Sequence, residues 1–209
     1  MVQQNGPNRE TSIKEHTLFP TELYLPPMLR KLPLYLALLL LTQCSKCKND
    51  PRPVDPVSQL PPATQTGANT FGCLVNGQLY TPKGYAGVSN FAVLYEPGPT
   101  GANLNILTYR ITSTGRQYLV VACGPITQPR TFSLSIPVTE GAASYVDTSR
   151  PQPCDSYDGN QAPSYRRGTL TITKLDVNAG IISGTFEFTL AQPGCDTIKV
   201  TQGRFDKKL

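Results

Sequence analysis

Cysteines carry most of the reactive groups in this chain. The 209-residue sequence contains six cysteines, one histidine and no tryptophan. Four of these thiols follow residue 70: Cys73, Cys123, Cys154 and Cys195. An even number of cysteines permits two disulfides in an oxidising compartment. A zinc site is the competing interpretation, but the four cysteines are far apart in sequence and no histidine accompanies them, so we expect no metal.

Three disulfide connectivities are open to four cysteines. A predicted hairpin over residues 169 to 190 brings its open ends together, and Cys154 precedes that end while Cys195 follows it. This placement favours a bond between Cys154 and Cys195, which leaves Cys73 to pair with Cys123. Each bond would close a loop of about forty to fifty residues, which stabilises a domain by about 4 kcal/mol in the chain-entropy model.

Carboxylates are the other candidates for chemistry. Two of them could hydrolyse a glycosidic bond, and the sequence offers Asp155, Asp158, Glu187 and Asp196. Glu187 alternates with two phenylalanines, so we expect it on the opposite, solvated face of a strand. No spacing pairs the four carboxylates, and we expect neither a catalytic pair nor a cofactor.

The segment Asp155 to Asn160 contains carboxylates and a glycine, as calcium loops do. Its spacing does not fit the EF-hand, in which ligands alternate and a glutamate occupies the twelfth position. Asp, Gly and Asn are favoured in turns by their backbone geometry alone. We therefore predict a turn without a metal.

An export signal lies near the start of the chain. Residues 28 to 43 combine a short basic stretch with a ten-residue apolar run from Leu32 to Leu41, which is typical of a signal peptide and too short to span a bilayer. Residues 1 to 27 are polar and would make the segment before the apolar run unusually long for a signal peptide, so we interpret Met28 as the true start. His16 is then absent from the exported chain, which excludes Ser-His-Asp, Cys-His and common zinc hydrolase mechanisms.

The apolar run ends in Leu41, Thr42, Gln43 and Cys44, which resembles the lipobox of bacterial lipoproteins. In that family the cysteine becomes the first mature residue and carries lipid. The resemblance implies lipidation of Cys44, although Gln43 departs from the small residue usual at its position. Cys47 fits less well because Lys46 precedes it. An ordinary secreted protein, with Cys44 in the removed peptide, is the alternative.

Residues 44 to 69 are rich in proline and polar side chains and lack an apolar period. Such segments are extended and semi-rigid. We predict a disordered tether between the lipid and a folded domain over residues 70 to 209.

The domain has the pattern of an all-β protein. Asn76-Gly77 between two apolar runs predicts a type I′ hairpin. Further short runs recur about every ten residues, and residues 169 to 190 predict a second hairpin with Ile182, Phe186, Phe188 and Leu190 on one face. Nine or ten antiparallel strands without helices favour a β-sandwich, with a partly closed barrel as the alternative.

Several stretches resemble a family of uncharacterised bacterial envelope lipoproteins with a β-rich domain, among them the segment from Phe71 to Gly77 and those beginning at Gly168, Ile182 and Val200. The resemblance covers roughly residues 70 to 207. It implies a lipid anchor, a proline-rich linker and an exported domain. It implies no catalytic residue.

The formal net charge of +5 is spread along the chain. The closest approach to a basic cluster is Arg166 and Arg167, which we expect to be solvated at a strand start, so no nucleic-acid partner is predicted. Exposed tyrosines could bind sugars or protein partners, although tyrosines in strands more often lie in the core. The tyrosines in the domain that we consider are Tyr80, Tyr85, Tyr95, Tyr109, Tyr145, Tyr157 and Tyr165.

These features predict a non-enzymatic envelope lipoprotein that contacts the bilayer through Cys44 and uses its sandwich as an interaction or structural module. A glycan-binding or glycan-cleaving module is the alternative. The residues after Cys44 lack an acidic run, which favours the periplasmic face of the outer membrane over the cell surface.

Overall fold

A computed structural model describes residues 54 to 135, 140 to 158 and 164 to 209. All of them belong to one compact unit, Pro53–Leu209. Apart from a single 3₁₀ turn, Pro56–Gln59, the regular structure of these residues is β-strand. The strands are β1 Thr70–Val75, β2 Gln78–Tyr80, β3 Phe91–Glu96, β4 Ala102–Ile111, β5 Arg116–Ile126, β6 Thr131–Ser133, β7 Gly141–Asp147, β8 Ser156–Tyr157, β9 Tyr165–Asp176, β10 Ile181–Ala191 and β11 Ile198–Lys208.

The strands form two antiparallel sheets. Six strands pair in the order β2-β1-β11-β10-β9-β6, and five pair in the order β3-β4-β5-β7-β8. The sheets do not close into a barrel, so the predicted β-sandwich is confirmed and the alternative is wrong. The described residues form eleven strands, whereas nine or ten were predicted. The additional strand is β8, whose two residues are too few to show alternation.

The core forms because each long strand buries every second side chain, as the pleat requires. Ile182, Phe186, Phe188 and Leu190 of β10 all join the core, and this confirms the predicted inner face of that strand. Phe71 of β1 stacks on Phe186 with ring centroids 5.3 Å apart. The facing sheet supplies residues such as Leu104, Ile106, Leu119 and Val121.

The Asn76-Gly77 hairpin is confirmed. Asn76 and Gly77 adopt φ values of 48° and 78°, and both lie in the left-handed region that a type I′ turn needs. The Asn76 side chain also joins the turn to β11, because its Nδ2 donates to Thr197 O and its Oδ1 accepts from Lys199 N. This turn therefore sets the register of β1 and β2 and connects them to the last strand.

The segment before β1 differs from the expected tether. Residues 60 to 69, which we call the strap, are ordered and lie against the six-stranded sheet. Leu60 is buried, and an added side-chain carbon at Gly72 of β1 would lie 2.6 Å from Pro61 Cδ. The expected boundary at residue 70 is therefore corrected, because the folded domain includes the strap.

A single buried carboxylate holds the strap. Asp206 of β11 is 1% exposed. It accepts hydrogen bonds from Thr64 Oγ1 at 2.7 Å and from the backbone nitrogens of Thr66, Gly67 and Ala68 at 2.9, 2.8 and 3.0 Å. Ser183 Oγ of β10 donates a further bond at 2.7 Å. Burial alone would raise the pKa of Asp206, but these donors outweigh burial and hold the pKa well below its usual range.

One of the two expected disulfides is present. Cys154 and Cys195 are bonded, with Cα atoms 5.5 Å apart, as the hairpin-end argument predicted. The expected bond between Cys73 and Cys123 is not formed, since both are free thiols buried in the core. Burial raises the pKa of both thiols, that of Cys123 to about 12.

The reason for this correction is the position of each thiol along the sandwich. Cys73 pairs with Tyr80, whose hydroxyl reaches Gln117 O near the start of β5. Cys123 lies six residues further along β5, which is about 20 Å of strand. A disulfide needs Cα atoms within about 7 Å.

The sequence predictions for residues 1 to 53, including the signal peptide and Cys44, fall outside the described residues. Among the described residues, no helix is long and apolar enough to cross a membrane.

We expect Asp206→Asn to lower the free energy of unfolding by about 2 kcal/mol or more, because it leaves strap donors buried without an acceptor. In the wild type, the lowered pKa makes this stabilisation fully present above about pH 4 and progressively lost as the pH falls below that value. Urea unfolding at pH 7 and between pH 5 and 2 measures both effects. Glu96→Gln, at the exposed end of β3, is the control and should change little. Equal unfolding free energies for the two variants at pH 7 would contradict the role of Asp206.

Peptide mapping under non-reducing conditions should link Cys154 to Cys195 and recover Cys73 and Cys123 as separate peptides. Alkylation of the last two should require denaturant, because their thiols are buried and protonated. Cys154→Ser should free one thiol, that of Cys195, and destabilise the domain by about 2 to 4 kcal/mol. A peptide that joins Cys73 to Cys123 would contradict the arrangement.

Candidate functional site

The outer face of the six-stranded sheet contains a polar depression of about 720 Å³ over β6, β9, β10 and β11. A second depression of about 440 Å³ adjoins it and shares Thr169 and Glu187 with it. We call the two together the sheet groove. Its principal side chains are Ser133, Tyr165, Arg167, Glu187, Lys199 and Arg204.

The groove side chains point outward because of strand alternation. Glu187 lies between the buried Phe186 and Phe188, as the sequence predicted. Arg167 in β9 and Lys199 in β11 occupy equivalent outward positions next to buried neighbours. Charged residues therefore project from three adjacent strands onto one surface.

A β-bulge in β11 shapes the groove. Thr201 pairs with Leu74 and Arg204 with Gly72, so two residues of β11, Gln202 and Gly203, lie opposite the single residue Cys73. Gln202 has a φ of 56°. A bulge bends its strand and increases the local twist. The second depression lies at this bend.

Glu140, in the loop before β7, fixes β6 at one end of the groove. The Glu140 carboxylate accepts a hydrogen bond from Ser133 N at 2.9 Å and pairs with Arg130 at 2.9 Å. The backbone bond from Ser133, followed by the bond from Arg130, lowers the pKa of Glu140. The carboxylate therefore stays ionised and fixes β6 at the edge of the sheet.

The groove carries unpaired charge. Within the described part of the chain, the side chains of Arg167, Lys199 and Glu187 make no hydrogen bond or ion pair with other residues. Arg204 instead folds onto Gln202, with Nη2 3.1 Å from Gln202 Oε1. Three cations and one carboxylate line the groove among serine and threonine hydroxyls. Such a surface suits a polar ligand that carries anionic groups or hydrogen-bond acceptors.

The structure does not gather the candidate carboxylates into one site. Glu187 lies in the groove, but Asp155, Asp158 and Asp196 are not among its lining residues. Asp155 O accepts from Asp147 N, and Asp196 O accepts from Tyr157 Oη. Among the described residues, no group of three metal-ligating side chains is close enough to hold an ion.

The tyrosines do not converge either. Tyr80, Tyr109, Tyr145 and Tyr157 are buried and Tyr95 is half-buried. Burial raises the pKa of Tyr80 and Tyr145. Tyr85 and Tyr165 are exposed, and Tyr165 is the tyrosine of the set that lines the groove.

The prediction that Arg166 and Arg167 are both solvated is wrong for Arg166. Arg166 is 2% exposed, and it donates from Nε to Leu134 O at 3.1 Å and from Nη1 to Asp158 O at 2.9 Å. Burial lowers the pKa of Arg166, and nearby Asp158 opposes this shift. Neighbouring residues in a strand face opposite sides, so alternation would have found the burial of one arginine.

Lys199 and Arg204 are groove residues that the sequence analysis did not single out. The alternation of Ile198, Lys199 and Val200 was the available signal for Lys199. Arg204 gave no comparable signal, because the bulge interrupts alternation immediately before it.

Searches of protein-family models, curated proteins and solved structures return no significant match to this chain.

Proposed function

We propose that the chain is a membrane-anchored lipoprotein of the bacterial envelope whose β-sandwich is a non-enzymatic interaction module. The sheet groove is its contact surface. The observation that carries this proposal is a set of three charged side chains, Arg167, Lys199 and Glu187, that project from three adjacent strands into an open depression and have no partner among the described residues.

The sequence and the disulfide support an exported, anchored protein. Residues 28 to 43 have the order of a lipoprotein signal peptide, and Cys44 follows them. The bond between Cys154 and Cys195 is typical of proteins that fold in an oxidising compartment such as the periplasm. The diacyl and amide-linked acyl chains of a lipidated Cys44 would anchor the protein stably, because one short chain alone binds membranes only marginally.

The groove supports binding better than hydrolysis. Glycosidases use two carboxylic groups about 5 to 9.5 Å apart on either side of the scissile bond. Glu187 is the single carboxylate among the described lining residues, and cations outnumber it. Hydroxyl groups and cations on a rigid sheet suit recognition of a partner with exposed carboxylates or carbonyl oxygens.

One observation favours a glycan-binding module as a second candidate. Tyr165 is 48% exposed and lies in the groove near Arg167 and the serine and threonine hydroxyls. An exposed aromatic ring beside hydrogen-bonding groups can stack on a sugar ring.

The anchor is tested by palmitate labelling of cells. We expect the label to be lost in Cys44→Ala and kept in Cys47→Ala, because Cys44 ends the lipobox-like run whereas Lys46 precedes Cys47. Label that persists in Cys44→Ala would refute the assignment. Protease treatment of intact cells tests the expected periplasmic side, since a periplasmic domain should resist digestion until the outer membrane is opened.

The groove is tested by site-specific photocrosslinking in intact cells, with the reactive amino acid at Thr169. The double variant Arg167→Glu with Lys199→Glu should lower the crosslink yield at least about ten-fold, since it reverses two contact charges. Arg116→Glu, an exposed arginine on the other sheet, is the matched control and should leave the yield unchanged. Equal yields in both variants would remove the groove as the contact surface.

The two candidate functions separate in binding and turnover assays. A glycan array that stays blank with the purified chain removes the glycan candidate. Cleavage of an envelope glycan, abolished by Glu187→Gln, would overturn the non-enzymatic assignment.

A further inference from the structure

We propose that one end of the domain, formed by the 3₁₀ turn and the loop between β2 and β3, rests on the lipid surface. We call this end, residues 54 to 59 and 81 to 90, the apolar end. The inference rests on the proposed lipidation of Cys44 and adds a second, direct contact between protein and bilayer.

The first argument is the length of chain that leads to the lipid. The strap is fixed on the sheet, so the folded domain begins near residue 54 rather than at residue 70. Val54 lies ten positions after Cys44, and ten residues span at most about 36 Å. A domain of this size has a radius of gyration of about 15 Å and is therefore more than about 30 Å across. The segment between Cys44 and Val54 is thus about as long, at most, as the domain is wide. The end at which the chain enters the domain therefore stays close to the bilayer.

The second argument is that the loop between β2 and β3 lies at that same end. Gln59 and Pro61 line a cavity of about 370 Å³ together with Pro82 and Asn90. The 3₁₀ turn and the base of the loop are therefore neighbours. A membrane that approaches the point of chain entry meets both.

The third argument is the concentration of exposed apolar side chains. Eight large hydrophobic residues are exposed among the described residues, and four of them lie at the apolar end. Tyr85 is 77% exposed, Val88 and Val54 are each 65% exposed and Val57 is 41% exposed. Single exposed apolar residues are ordinary, but four of them lie in two segments whose bases share a cavity, on the side where the chain comes from the proposed lipid, and this favours an interface. Tyrosine is also enriched where membrane meets water.

The loop presents these side chains on a fixed backbone. Tyr109 Oη accepts a hydrogen bond from Ala86 N at 2.9 Å and donates to Val88 O at 2.6 Å. Asn90 Nδ2 donates to Gly84 O at 2.8 Å. Because the backbone is ordered before contact, burying Tyr85 and Val88 costs little additional conformational entropy. Lys83, two residues before Tyr85, and Asp55, before the 3₁₀ turn, are both exposed, so the apolar end has one charge of each sign and no net charge.

The chain contains no tryptophan, so a single substitution provides a unique fluorescent probe. Tyr85→Trp reports the apolar end. Tyr165→Trp, at a 48% exposed position in the sheet groove, is the matched control. Each full-length lipidated variant is reconstituted into vesicles of phosphatidylethanolamine and phosphatidylglycerol, with or without phosphatidylcholine brominated on its acyl chains. Val88→Trp serves as a second probe if the first variant does not fold.

We expect the brominated lipid to reduce the Tyr85→Trp emission at least about two-fold, because interfacial residues reach the boundary of headgroups and acyl chains. The emission of Tyr165→Trp should stay unchanged. Failure of quenching at both probes of the apolar end, in protein that still sediments with the vesicles, overturns the inference and leaves the anchor intact. If the probe is unquenched in vesicles but shielded in isolated cell envelopes, a protein covers this end and the inference is again overturned.

The same probes in a Cys44→Ala background separate this inference from the proposed function. Loss of sedimentation in that background supports the lipid anchor. Sedimentation and quenching that persist without Cys44 support direct contact by the apolar end, and palmitate labelling then decides the lipidation separately. If no variant sediments with vesicles, both proposals fail.

Discussion

The carboxylate of Asp206 is the interaction on which the arrangement of the domain depends. It collects hydrogen bonds from the strap on one side and from Ser183 of β10 on the other. An ionised carboxylate with this many donors is stable even though it is almost fully buried. The strap in turn covers the outer face of the sheet at β1 and leaves the remainder open. The contact between Asp206 and the strap therefore defines both where the groove begins and where the chain enters the domain.

The sequence predicted those features that depend on residues close together in the chain. Asn76 and Gly77 specify their turn through backbone geometry alone, and alternation in β10 specifies which of its residues enter the core. Asp206 could not be recognised in this way. Its neighbours in β11 indicate an outward and hence solvated position, and only a segment about 140 residues earlier in the chain buries it.

The candidate site also combines features that local sequence predicted with features that depend on strand pairing. The outward position of Glu187 followed from alternation, whereas the placement of Lys199 and Arg204 beside it depends on the pairing of β10 with β11 and on a bulge. The even number of cysteines predicted a second disulfide. That number contains no information about where each cysteine lies along its strand. Cys73 and Cys123 therefore behave as small apolar side chains of the core.

The contacts of the strap also set an order of events during synthesis. Its partners on β11 lie 138 to 142 residues later in the chain, so the strap leaves the ribosome long before Asp206 exists. A contact of such long range also costs more loop-closure entropy than the pairing of neighbouring strands. Until Asp206 has been made, residues 64 to 68 lack the carboxylate that accepts their hydrogen bonds. The strap can therefore dock only after β11 has been synthesised.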